Sequence, residues 1–281
     1  MARGLPSLLL LAGLLVPDGV AAQDEGDFQL RRAPHALLAT GLWASALTLD
    51  ARKDEWSGTP ACRGEPRPPT VEERSLVEAD SLQLCLRSDI FVVDRVLQPP
   101  FWSSAAPLSD VLLLSMIASP FVTVGLYELG TQGEFADDGV VAFQTLGATY
   151  LATVLAKFLV RRPRPLTYDG RFDAHARSDG DARLSFPSGH SSMAFAAASL
   201  VAVMASARSR GATRIGAMAG AYGAAGLVAY LRVASRRHFF TDVLAGAALG
   251  TATGWLIPEL HRTRSGSQAG SGFMMAWGGR F

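Results

Sequence analysis

Apolar and polar positions fall in long blocks along this chain rather than alternating residue by residue. Five apolar runs fill its C-terminal part: Val111 to Leu129, Val140 to Val160, Ser191 to Ala207, Ile215 to Val233 and Val243 to Ile257. Crossing the hydrocarbon of a bilayer takes about 20 residues of helix, and most of these runs approach that length. Pro163 ends the second run, because it lacks a donor and biases Arg162 out of the helical region. The last three runs are rich in Ala and Gly. Small residues let helices pack closely in a membrane, and they also suit the core of a soluble bundle. The pattern predicts an all-α protein, a helical bundle of about five to six core helices, expected to be transmembrane.

The N-terminal part is more mixed. Residues 1–22 start Met1-Ala2-Arg3, continue through an apolar stretch from Leu5 to Val16 and end in Val20-Ala21-Ala22. That is the pattern of a secretory signal peptide cut after Ala22, or of an uncleaved anchor. His35 to Leu49 is apolar but short for a span, and reads as a buried or interfacial helix. Residues 50–70 are charged and Pro-rich and read as a loop. Thr70 with Glu73 then forms a capping box opening a mixed helix that runs to about Leu97, before Pro99-Pro100. The expected organisation is a signal peptide at 1–22, an exported N-terminal region at 23–106, a helical core at 107–260 and a flexible tail at 261–281.

Composition agrees with a membrane protein without being extreme. Charged residues are 18% of the 281, below the roughly 25% of a soluble domain, and mean hydropathy is +0.20. A net charge of +1 says nothing about partners; no nucleic-acid partner is expected. The two cysteines, Cys62 and Cys85, have no Cys-x2-Cys spacing for a thiolate zinc site. They are either a disulfide, if exported, or two free thiols.

The candidate chemistry sits at the ends of the apolar runs. Phe186-Pro187-Ser188-Gly189-His190 opens the third run. Ser188 suits an N-cap, Gly189 lets a ligand approach the backbone, and a helix start favours an anion. Alone, such a stretch is just as well a plain cap. Upstream, Lys157 and Arg164-Pro165 close the second run. Downstream, Arg232, His238 and Asp242 precede the fifth. Taken singly, Lys157 is equally a snorkelling lysine, Arg232 an interfacial anchor and Asp242 a helix-dipole partner.

Read together, Lys-x6-Arg-Pro, Pro-Ser-Gly-His and Arg-x5-His-x3-Asp resemble the three-part motif of the type 2 phosphatidic acid phosphatase superfamily. That superfamily includes membrane lipid phosphatases, soluble acid phosphatases and vanadium haloperoxidases. One position departs from it: Leu231 stands where the family usually has Ser before the third-motif Arg. The resemblance implies a six-helix core and hydrolysis of a phosphate monoester or pyrophosphate through a phosphohistidine. Lys157, Arg164, Ser188, Gly189 and Arg232 would hold the phosphate. His238 would be the nucleophile, His190 the general acid and then base, and Asp242 the partner that fixes the His238 tautomer. The scheme uses no metal and no cofactor. The expected substrate is a phospholipid or an isoprenoid phosphate.

His35, His175 and His261 carry no spacing argument and read as surface residues. Arg161, Arg162, Arg236 and Arg237 either attract an anionic headgroup or simply sit at the interface. The loops away from the motifs carry Arg208, Arg210, Arg214, Arg262 and Arg264. By the positive-inside rule they are cytoplasmic, which turns the site toward the periplasm, from an inner-membrane protein. With an exported N-terminus this holds only if residues 35–49 do not cross. The rivals are a soluble periplasmic acid phosphatase of broad specificity and a vanadate-dependent haloperoxidase.

Overall fold

The computed structural model describes residues 32–57, 85, 90–128 and 135–261. Among them lie nine α-helices and no strand. In chain order they are α1 (Arg32–Ala51), α2 (Lys53–Trp56), α3 (Val92–Val96), α4 (Ala105–Glu128), α5 (Phe135–Val160), α6 (Ala174–Ser178), α7 (Gly189–Arg208), α8 (Gly211–Ala234) and α9 (Phe240–His261). The all-α bundle expected from the apolar runs is the one observed. Each of the five runs, over its described residues, lies on one of the five helices α4, α5, α7, α8 and α9, all long and apolar enough to cross a membrane. The signal segment, Cys62, the capping box and the tail lie outside the described residues.

Helix α7 is the most buried of the five. Its Ala, Ser and Met side chains pack against α4, α5, α8 and α9 around a core that includes Met193, Ala197, Leu200, Leu146 and Val228. The tightest neighbour is α9. Gly246, Gly250 and Gly254 recur every four residues and so share one face. A Cβ on Gly246 would come 2.5 Å from the Ser188 carbonyl oxygen, and one on Gly254 would come 2.6 Å from Ser199 Cβ. A Cβ on Gly250 would overlap the Ser192 carbonyl oxygen. Only glycine permits this approach of backbone to backbone, which clamps the start of α9 beside the start of α7.

The apolar stretch at 35–49 is part of a longer helix. Trp43 of α1 lies over Gly147 of α5, donates its indole N–H to the Phe143 carbonyl at 3.0 Å and stacks on Phe143. One end of α1 places His35 against His261, 3.4 Å apart. Just beyond its other end, Asp54 and Ser57 press on Gly180 in the loop near the motifs. Helix α1 therefore runs the height of the bundle as a sixth core helix. His261 is correspondingly no plain surface residue: its Nδ1–H donates to the Ile257 carbonyl at 2.7 Å. The helix expected to continue to Leu97 is interrupted, since Phe91 is extended and only Val92–Val96 is helical there.

Candidate active site

Five helix ends meet at one end of the bundle: the C-termini of α5 and α8 and the N-termini of α4, α7 and α9. Helix α5 stops at Arg161, which takes a left-handed φ of 48° while its N–H still bonds the Lys157 carbonyl at 2.9 Å. Helix α8 ends in a similar turn at Arg236, φ 59°. The N–H groups of Arg237 and His238 both return to the Arg232 carbonyl, at 3.1 and 3.2 Å. That turn folds His238 back toward Arg232. Ser188 caps α7 as expected, accepting from the Ser191 N–H at 3.4 Å. The Ser188 N–H donates to the Asp242 carbonyl at 3.0 Å, tying the second motif to the third.

The expected site residues come together. Arg164 reaches His238, with Nη1 3.3 Å from Nε2, and is itself fixed by the Asp181 carboxylate at 2.8 Å and the Asp181 carbonyl at 2.7 Å. A Cβ on Gly189 would sit 3.9 Å from Lys157 Cε, so the lysine lies along the start of α7. Arg232 is buried, and its Nε has no hydrogen-bond partner. An orphaned guanidinium N–H beside a helix N-terminus and two more cations is an arrangement suited to an anion.

One expected contact is different. Asp242 Oδ2 is 3.9 Å from His238 Nδ1, beyond hydrogen-bond range. The imidazole Nδ1 instead sits 2.7 Å from the Ser185 carbonyl oxygen. A carbonyl only accepts, so Nδ1 carries the proton and Nε2 keeps its lone pair. Asp242 is engaged elsewhere: it accepts from the Ser185 hydroxyl at 2.5 Å, the Phe239 N–H at 2.8 Å and Arg162 Nη1 at 2.6 Å. It holds the two backbones that flank His238 rather than the ring itself.

Two of the flanking arginines are structural. Arg162 bridges the buried carboxylates of Asp94 and Asp242, at 2.6 Å to each, with the Phe239 ring 4.3 Å from its guanidinium. Arg236 donates to the Pro99 carbonyl at 2.9 Å. Arg161 is exposed and Arg237 half-buried. Leu231 is buried against Ala105 and Ala234. His175 is exposed.

Two residues escaped the motif reading. Asp110 of α4 accepts from His190 Nε2 at 2.7 Å and from Arg232 Nη1 at 3.2 Å. Asp181 holds Arg164. No spacing in the sequence links either to the motifs, and Asp110 is separated from its two partners by 80 and 122 residues.

The charges divide the labour. Burial first, then Arg164, Arg232 and Lys157, push the His238 imidazolium well below the ordinary histidine range, so the ring is neutral near pH 7. Burial alone would raise the Asp181 carboxyl, but Arg164, Lys157 and Lys53 outweigh it and hold it far below the usual carboxylate range. Among the described residues there is no group of three or more His, Cys, Asp or Glu arranged to hold a metal ion.

Comparison with known proteins gives the same direction. A lipid A 1-phosphatase of Porphyromonas gingivalis is 35% identical over 94 residues, which are 32% of this chain and 20% of the relative. The chain thus matches about a fifth of the length of that curated relative. No solved structure matches the chain. Residues 139–265 match the model of the PAP2 superfamily, a stretch that contains all three motifs, so this part of the chain is similar to that superfamily.

Proposed function

We propose that the protein is a membrane phosphatase that hydrolyses a phosphate monoester or pyrophosphate carried on a lipid. The observation that carries this reading is the His238 ring. Its Nδ1–H is spent on Ser185, and its Nε2 lone pair faces Arg164 in a pocket of three cations. A phosphoryl group on Arg164, Arg232, Lys157 and the α7 N-terminus would stand beside that lone pair.

In this scheme Nε2 attacks phosphorus and the bond to the lipid oxygen breaks. His190 gives that oxygen its proton. The phosphoryl group remains on Nε2 while Nδ1–H stays bonded to Ser185. His190, now neutral, takes a proton from water, which attacks phosphorus, releases inorganic phosphate and frees His238. Donors already aimed at the developing charge stabilise the transition state most, with about 3–4 kcal/mol lost when one is removed.

Lipid A is a candidate substrate on the strength of the relative's name. Phosphatidic acid, phosphatidylglycerol phosphate and isoprenyl pyrophosphates carry the same reacting group.

The arginines at the far end favour a site on the outer face of the inner membrane. In that orientation the His35 end of α1, beside His261, lies at the cytoplasmic end of the bundle. Impermeant maleimide labelling of Arg171→Cys in intact cells decides the side.

The deciding assay is phosphate release from phosphatidic acid and from lipid A in detergent micelles with excess EDTA. The parent should release phosphate and form an acid-labile phosphoprotein, and His238→Ala should do neither. Release that persists in His238→Ala removes the nucleophile assignment.

A further inference from the structure

Residues 91–102 comprise α3 and most of the link from it to α4, and are built inside out. Phe91, Val92, Val93, Val96, Leu97 and Trp102 are between 42% and 73% exposed, while Asp94 in their midst is 1% exposed. A water-facing segment would bury the valines and expose the carboxylate. Here Asp94 points into the protein, where Arg162 Nη2, the Thr241 N–H and the Thr241 hydroxyl bond it at 2.6, 2.9 and 2.7 Å.

The segment is also fastened to the site end of the bundle. Arg236 donates to the Pro99 carbonyl at 2.9 Å, and the Trp102 N–H donates to the Ala234 carbonyl at 3.1 Å. Phe91 lies 5.2 Å from the Arg162 guanidinium. Arg162 in turn holds Asp242, whose carboxylate is 3.9 Å from the His238 ring, so two side chains separate the segment from His238.

Its apolar face does not stop at Trp102. Three residues later α4 begins, and that helix carries the exposed side chains Leu108, Val111 and Leu114 outward along its length. The exposed Arg95 lies among the valines. Apolar residues with an aromatic and a cation, continuous with the outer face of a span, match the headgroup boundary of a bilayer.

We propose that residues 91–102 form a shelf immersed in the membrane leaflet on the site side, at the mouth of the phosphate cradle. The inference rests on the lipid phosphatase reading for its purpose: a lipid could present its phosphate without leaving the leaflet. Its geometry stands apart from that reading, because immersion can be measured without turnover.

The test uses the full chain in phosphatidylcholine and phosphatidylglycerol vesicles. A nitroxide is attached at Val96→Cys, and a second at the exposed His175→Cys as the aqueous reference. Labelling is done without reductant, because Cys85 is disulfide-bonded. The Val96 label should collide freely with oxygen and be shielded from a water-soluble nickel chelate. Nickel access equal to that at position 175 would overturn the shelf. Shielding from both reagents, with spin broadening that disappears on dilution by unlabelled protein, would also overturn it in favour of a second copy on this face.

An activity arm then separates the two readings. Val92→Ser with Val96→Ser should slow release from a long-chain lipid phosphate in vesicles several-fold, and leave a short-chain soluble phosphate ester unaffected. If the parent hydrolyses neither substrate, the phosphatase reading fails while the immersion result still decides the shelf.

Discussion

His238 donates its Nδ1–H to the Ser185 main-chain oxygen at 2.7 Å, while the Asp242 carboxylate stays 3.9 Å away. A backbone carbonyl cannot rotate away or take up a proton near neutral pH, so the tautomer is set by the chain itself. In ¹⁵N-histidine spectra of the detergent-solubilised protein, His238 should appear as the neutral Nδ1–H tautomer. Asp242→Asn should leave that tautomer in place. An Nε2–H signal in either protein would contradict the assignment.

The same ring sets a pH dependence. Burial and the neighbouring cations lower the His238 pKa in the folded protein, whereas the unfolded value is about 6.5. The stability it contributes is therefore full above pH about 6.5 and is lost as pH falls below that toward the folded value. Titration of the His238 resonance, identified by difference with His238→Gln, should show no protonation on going from pH 7 to 6. A midpoint near 6.5 would count against a buried, cation-flanked imidazole.

Asp110 touches both His190 and Arg232, and its effect should be on positioning. Asp110→Ala should reduce kcat by about 10- to 100-fold, the range expected when reacting groups shift by about an ångström. Stability should change little, because the carboxylate is exposed. Unchanged kcat with a normal melting curve would remove it from the site.

Arg161 and Arg162 are neighbours in sequence with opposite roles. Arg162→Met leaves Asp94 and Asp242 buried without their shared cation, a change worth about 3–5 kcal/mol. Arg161→Met alters an exposed side chain and should be close to neutral. Thermal melting of the two variants in one detergent makes the comparison, and equal melting temperatures would refute the bridging role.

The glycine face of α9 gives a packing prediction. Gly250→Ala forces a methyl group into the Ser192 carbonyl oxygen and should cost about 1–3 kcal/mol through overpacking. Gly216→Ala in α8 meets nothing within 4 Å, and should be neutral or stabilising by about 0.5–1 kcal/mol. A melting temperature for Gly250→Ala at or above the parent's would mean that α7 and α9 are not in close contact.

The sequence by itself determined what depends on near neighbours. Block hydropathy foretold the five long apolar helices, Pro163 marked the region where α5 ends, and Ser188 marked the start of α7. Lys157, Arg164, Ser188, Gly189, His190, Arg232, His238 and Asp242 could be grouped because together they resemble the three-part motif of one superfamily; taken singly, each had an ordinary structural reading. Only the tertiary structure decided which partner each side chain takes. Ser185 rather than Asp242 receives the His238 proton because the α8 turn and the glycine contact with α7 bring a carbonyl closer than the carboxylate. Asp94 and Asp110 enter the network from segments far along the chain from their partners, 147 residues in the case of Asp94 and Thr241, where no periodicity reaches. The height of α1 was equally hidden. Its apolar stretch is short by composition, and its contacts with Gly147 and His261 exist only once the bundle has closed.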